Sequence, residues 1–178
     1  MTQLTERRSV DDLSESITKM MTIADVDRNE CCQMTTLDDA AQLGEKEQGL
    51  AVISTLRADG TIQSSVVNAG VMRNPVTEQP ALAFVSYGKV KLANLRTRPQ
   101  VTATFRSGWQ WVAVEGHAQL IGPDDPDPEI DNERLRLLLR EAFTAAGGHH
   151  DNWEEYDRVM VEQRRTLVLI GPVRIYSN

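Results

Sequence analysis

Cysteine is almost missing from this 178-residue chain: Cys31 and Cys32 stand side by side and are the only two. Adjacent cysteines fit poorly into a structural disulfide and lack the paired spacing of a zinc site, so neither device is expected to hold the fold. Long apolar runs are missing too. None approaches the roughly 20 residues that span a bilayer, and residues 1–27 lack the apolar centre of a secretory signal, so the protein is expected in the cytoplasm, away from membranes. Excess positive charge is a third absence. With 26 acidic against 19 basic residues the net charge is −7, which disfavours a nucleic-acid or membrane-surface binder but not a protein with a small anionic ligand. Finally, no Ser/His/Asp, Cys/His or paired-carboxylate arrangement stands out, and His117, His149 and His150 have no Cys or carboxylate at ligand spacing. Neither a metal site nor a catalytic side chain is expected.

What is present is a run of short strands with turn signals between them. Residues 1–33 read as an appended arm that either holds a short helix, with Leu13, Ile17, Met20 and Met21 at rough helical spacing, or stays disordered until it docks. The remaining residues, 34–178, read as one domain. Thr36-Leu37-Asp38-Asp39 fits a capping box and opens a short helix to Gly44. Strands follow at 49–56 and 61–69, joined at Asp59-Gly60, a two-residue hairpin signal, and then at 81–85, 101–105 and 109–121. On the last of these Val112, Val114, Gly116, Ala118 and Leu120 form the core face. Asp127-Pro128 is expected to open a helix whose buried stripe is Leu135, Leu138, Leu139, Ala142, Phe143 and Ala146. Asp151 or Asn152 should cap a second helix with Trp153, Tyr156 and Met160 inward, and residues 166–176 make a final strand bent at Gly171-Pro172. Five strands, two helices and one strand with hairpin connections predict the α+β class and an antiparallel barrel carrying a helical pair.

One stretch concentrates charge of the rarer sign. Lys89, Lys91, Arg96 and Arg98 fall within ten positions, between the strand ending at Ser86 and the strand starting after Pro99. Free amides near Gly88 to Val90, at the start of one or two helical turns, would join the lysines around a phosphate. A solvated basic turn is the other reading. Gln63, Ser64 and Ser65 bring three neutral hydrogen-bonding groups to a strand and are either edge polarity or ligand contacts.

The combination Asp59-Gly60-Thr61-Ile62-Gln63-Ser64-Ser65-Val66-Val67, then Lys89-x-Lys91-x-x-Asn94-Leu95-x-x-x-Pro99-x-Val101, then Gly108-Trp109-x-Trp111-Val112-Ala113-Val114-Glu115-Gly116, resembles the split-barrel flavin and deazaflavin oxidoreductases. These are the pyridoxamine 5'-phosphate oxidase-like proteins. The Asp151-Asn152-Trp153-x-x-Tyr156 helix, Arg164-Arg165 and Val173-Arg174-Ile175-Tyr176 are similar to the branch that uses the deazaflavin coenzyme F-420. The resemblance covers roughly residues 34–178. It implies a six-stranded split barrel, a homodimer with the cofactor at the subunit interface, and a reductase passing hydride to an unsaturated small-molecule acceptor. It further implies that Lys89 and Lys91 hold the phosphate and acidic tail, with Ser86 beside them and Asn94 bracing the turn. Gln63, Ser64 and Ser65 would line the ring, with Gly108 and Trp109 closing its far side. Lys89 departs from the Arg that relatives often carry, and Val66 from an Asn. An FMN-binding oxidoreductase, or a module that binds a flavin, deazaflavin or haem without catalysis, remains the alternative.

Overall fold

The computed structural model describes residues 35–178. The arm expected at residues 1–33 and the Cys31-Cys32 pair lie outside the described residues. Thr36 begins the fold as the sequence predicts. Its Oγ1 accepts from the Asp39 amide at 3.2 Å and the Asp39 carboxylate accepts from the Thr36 amide at 2.7 Å, closing a capping box on helix α1, Leu37–Glu45.

The strands are β1, Leu50–Leu56; β2, Ile62–Arg73; β3, Pro80–Ser86; β4, Gln100–Ser107; β5, Gln110–Ile121; and β6, Thr166–Ser177. Helix α2, Lys89–Thr97, separates β3 from β4, while α3, Asn132–Ala145, and α4, Trp153–Glu162, separate β5 from β6. All pairings are antiparallel and close a six-stranded barrel in the order β1-β2-β3-β6-β5-β4. The expected α+β barrel is the observed fold.

Alternation sorts the core into two parts. Inside the barrel lie Ala51 and Ile53, Leu82 and Phe84, Ala103 and Phe105, Val112 and Val114, and Val168 and Ile170, with α1 contributing Leu37 and Leu43 and α2 contributing Leu92 and Leu95. The opposite rows, Ala81 and Ala83 of β3 and Leu167 and Leu169 of β6, pack outward against Leu138, Leu139 and Ala142 of α3 and Tyr156 of α4. Burial on both faces is why β3 and β6 read as continuous apolar runs where a half-exposed strand would alternate.

Three boundaries differ from the sequence reading. The β1–β2 connection is a three-residue loop, Ala58 to Gly60. Arg57 O accepts from the Gly60 amide, the Arg57 amide donates to Thr61 O, and Gly60 takes the left-handed conformation (φ +81°) that places the bulge. Strand β2 runs on to Arg73, since Met72 buries against the helices. Helix α3 starts at Asn132 because Asp127 spends its carboxylate on the Glu129 amide, and Asp131 caps instead, accepting from the Arg134 amide at 2.7 Å. Among the described residues, no helix is long and apolar enough to cross a membrane.

Candidate functional site

Strand β2 changes partner along its length, and the site is the space that this leaves. Residues Ile62 to Asn68 pair with β1, whereas the pairing with β3 covers only Ala69 to Arg73. The opposite edge of the first half of β2 therefore faces the end of β3 and the start of α2 across a groove of about 640 Å3. That volume lies within the usual range for small-molecule sites. Gln63, Ser65 and Val67 line it from the strand, Ser86 through Lys91 from the turn, and Phe143, Tyr156, Met160 and Arg165 from the helical side.

The electrostatics are one-sided. The lining holds Lys89, Lys91 and Arg165 and not one acidic side chain, in a chain with 26 of them. Lys91 is buried, at 6% exposure, and among the described residues it meets no carboxylate; its ammonium stands 5.2 Å from the centre of the Phe84 ring. Burial holds it below its ordinary value. Helix α2 starts at Gly88 with no side-chain cap and no acid in its first turn, so its leading amides face the groove together with two lysines that the helix dipole alone would disfavour. An anion bound there would reverse that penalty. Ser86 shapes the turn, its Oγ accepting from the Gly88 amide at 3.3 Å.

Not every cation of the turn is free. Arg96 is engaged bidentately by Asp125, both bonds at 2.7 Å, so the basic cluster of the sequence reduces in the fold to Lys89 and Lys91 at the groove. Asn94 is buried behind it and donates to Thr55 Oγ1 at 3.1 Å and Gln63 Oε1 at 3.3 Å. The Gln63 oxygen is thereby committed to the protein, leaving its NH2 for a ligand.

Of the predicted site residues, Gln63, Ser65, Ser86, Lys89 and Lys91 come together around the groove, with Asn94 as a brace. Ser64 does not join them. Strand alternation turns it to the opposite face, where its hydroxyl meets Ser54 Oγ at 3.0 Å. Gly108 and Trp109 sit on the β4–β5 turn and are not part of the groove wall of their own chain; Trp109 is 87% exposed. Tyr87, Phe143, Tyr156, Met160 and Arg165 are lining residues that the sequence reading left out of the site. Tyr156 is no proton donor to a ligand: its hydroxyl donates to Leu139 O at 3.0 Å, and burial pushes it up to about 12.

The family model for pyridoxamine 5'-phosphate oxidase matches residues 37–174. The chain belongs to the pyridoxamine 5'-phosphate oxidase family. The resemblance drawn from its motifs holds at that level. Solved structures with this fold include a conserved hypothetical protein of Mycobacterium tuberculosis, with TM-score 0.56 and 16% identity over 84% of this chain and 88% of that one. An FMN-binding protein of Nostoc punctiforme related to pyridoxamine 5'-phosphate oxidase aligns with TM-score 0.53 and 13% identity, covering 79% and 81%. An F-420 reductase aligns with TM-score 0.50 and 15% identity, covering 71% and 88%. At these identities the likeness is one of fold. Within the family, the groove's free cations, capless helix start and partly apolar lining fit a phosphate-bearing ring cofactor of the flavin type.

Proposed function

We propose that the groove binds a flavin-type cofactor by its phosphate, that this cofactor is the deazaflavin coenzyme F-420, and that the protein is a reductase of an unsaturated small-molecule acceptor. The observation that carries the reading is the buried Lys91, which has no counter-charge among the described residues and shares one groove with Lys89 and the open amides of α2. An ammonium partly desolvated without a counter-charge is costly, and a bound phosphate offsets the cost. Gln63, oriented by Asn94, and Ser65 would hydrogen-bond the ring edge, while Phe143 and Met160 supply apolar surface. Bound in its reduced form, a deazaflavin supplies a hydride, so the residues are left to bind, orient and exclude water. Three cations around one groove exceed the charge of a single phosphate monoester, which favours a cofactor with additional carboxylates over FMN.

The active unit in this reading is a homodimer in which a second copy covers the groove. Val66 belongs to the groove and also stands on the outward face with the exposed Leu50, Val52, Leu56 and Ile62, where the Ser54–Ser64 pair separates Val52 and Val66 from Leu56 and Ile62. The partner's turn at Gly108 and Trp109, exposed in the single chain, is the part proposed to close the ring site.

A fluorescence titration of the purified protein with F-420 and with FMN tests the reading. Tighter binding of F-420, with the separately prepared reduced cofactor reoxidised by a quinone or similar acceptor in the presence of the protein, is the expected result. Tighter binding of FMN moves the protein to the oxidase side of its family, tight binding without turnover makes it a carrier, and binding of neither removes the enzyme reading.

A further inference from the structure

The groove has a neighbour. A second cavity of about 330 Å3 lies between α3 and α4, and Met160 and Arg165 wall both spaces. The other cations lining this cavity are neutralised: Arg136 donates to Glu133 and Asp157, and Arg164 pairs with Asp124. Arg165 is not. Its Nε donates to Gln163 Oε1 at 2.8 Å and its guanidinium carbon stands 3.8 Å from the centre of the Tyr87 ring, so the plane is held both by a hydrogen bond and by stacking. Among the described residues no carboxylate meets it and neither terminal nitrogen has an acceptor. Burial pulls it down from its ordinary value, as expected for a cation desolvated without a counter-charge. The pairing of Ser86 with Thr166 carries Arg165 to the Tyr87-Gly88-Lys89 turn, beside the lysines.

A guanidinium fixed in this way is a preorganised fork for one carboxylate, and its neighbourhood says where that carboxylate must lie. We propose that Arg165 is a specificity-determining residue that clamps a carboxylate adjacent to the bound phosphate, selecting a cofactor whose phosphate is a diester continuing into a carboxylate-bearing tail over one that ends in a phosphate monoester. This rests on the reading of the groove as a phosphate-anchored cofactor site. A monoester would end at Lys89 and Lys91 and leave Arg165 unused. A tailed cofactor would run past them to Arg165 and into the second cavity, where Arg136 and Arg164 already have partners and the free clamp is Arg165 alone.

The test is a fluorescence titration of the full-length wild-type, Arg165→Gln, Arg165→Lys and Lys91→Ala proteins with two probes. One is F-420 carrying its glutamyl tail; the other is the same deazaflavin ring ending in a phosphate monoester. Arg165→Gln should weaken binding of the tailed probe about tenfold or more and that of the monoester less than about twofold, the usual scale of a charge-assisted pair. Arg165→Lys keeps the charge but not the fork and should recover only part of the loss. Equal losses for the two probes, or a tailed-probe affinity unchanged in either Arg165 variant, overturns the inference while leaving the phosphate site intact. Lys91→Ala should weaken both probes. If it weakens neither, or if the wild type binds neither, the phosphate reading fails and this inference with it. Should thermal melting find Arg165→Gln unfolded, the Arg165→Lys comparison decides alone.

Discussion

Lys91 carries two opposed demands, and they can be measured separately. The fold buries its side chain and partly desolvates an ammonium that has no counter-charge among the described residues, which costs stability, while the same desolvation sharpens its attraction for an anion. Lys91→Met should therefore stabilise the ligand-free protein by about 1–3 kcal/mol near neutral pH, and weaken F-420 binding at least about tenfold. The pH dependence follows from the direction of the shift. Because the folded state holds Lys91 below its ordinary value of 10.5, the unfolded chain binds more protons between the two values, and wild-type stability gains on the variant as pH rises toward 10.5. Urea denaturation of both proteins across that range checks this; a gap that stays constant would mean the ammonium is satisfied in the fold. Lys91, Gln63 and Ser65 were legible in the sequence because a basic turn and a polar stretch of strand are local signals. Ser64 shows the limit, since strand alternation must turn it away from two neighbours of the same chemistry. Arg165 was not legible as a site residue: its position depends on Tyr87, brought to it only by the β3–β6 pairing.

At the scale of elements, the groove depends on how closely α3 approaches β2. Gly70 makes the approach possible. A Cβ there would lie 2.0 Å from Ala145 O, and the obstacle is backbone that cannot rotate aside. Gly70→Ala should push the C-terminal turn of α3 outward and cost about 3 kcal/mol, the upper end of overpacking penalties. Since Ala142, Phe143 and Ala146 line the groove from that turn, cofactor affinity should fall with stability. Urea denaturation and the binding titration on the same variant check both, and a stable variant with normal affinity would refute the coupling. The α3–α4 contact has its own electrostatic lock, Asp157, which accepts from both Arg140 and Arg136. Hydrogen bonds from Arg140, and then from Arg136, hold its carboxyl below the usual range. That contribution is present above the ordinary carboxylate value and is lost as pH falls through the lowered one. Asp157→Asn should therefore be less stable than wild type at pH 7, with the difference narrowing as pH falls below the ordinary carboxylate value, which thermal melts from pH 7 down into acid would reveal. The apolar stripe of α3 could be read from its periodicity. Its start could not, because Asp127 and Asp131 are both good caps, and only the fold shows the Asp127 carboxylate spent on the Glu129 amide and Asp131 on that of Arg134.

At the scale of the whole molecule, the side of the barrel beside the groove carries exposed apolar residues. Val52 lies across from Val66 and Leu56 across from Ile62 in the β1–β2 register, and with Leu50 they form an outward row 37–65% exposed. Two exposed apolar pairs on either side of the Ser54–Ser64 pair suit an association surface, and Val66 joins it to the rim of the groove. Strand patterning alone hid this, because a barrel reading assigns one face to the core and leaves the other without a partner. A second copy on this face would exclude water from the groove and bring up an exposed Trp109. Two copies each carrying a net charge of −7 repel one another, so screening by salt should tighten the dimer. The variant Val52→Lys/Ile62→Lys changes two residues outside the groove lining and should be monomeric by light scattering, with F-420 affinity reduced about tenfold or more although neither residue touches the ligand. A monomeric variant with undiminished affinity would mean that one chain completes the site; a wild type that is itself monomeric at all salt concentrations would mean that this apolar face serves some other contact.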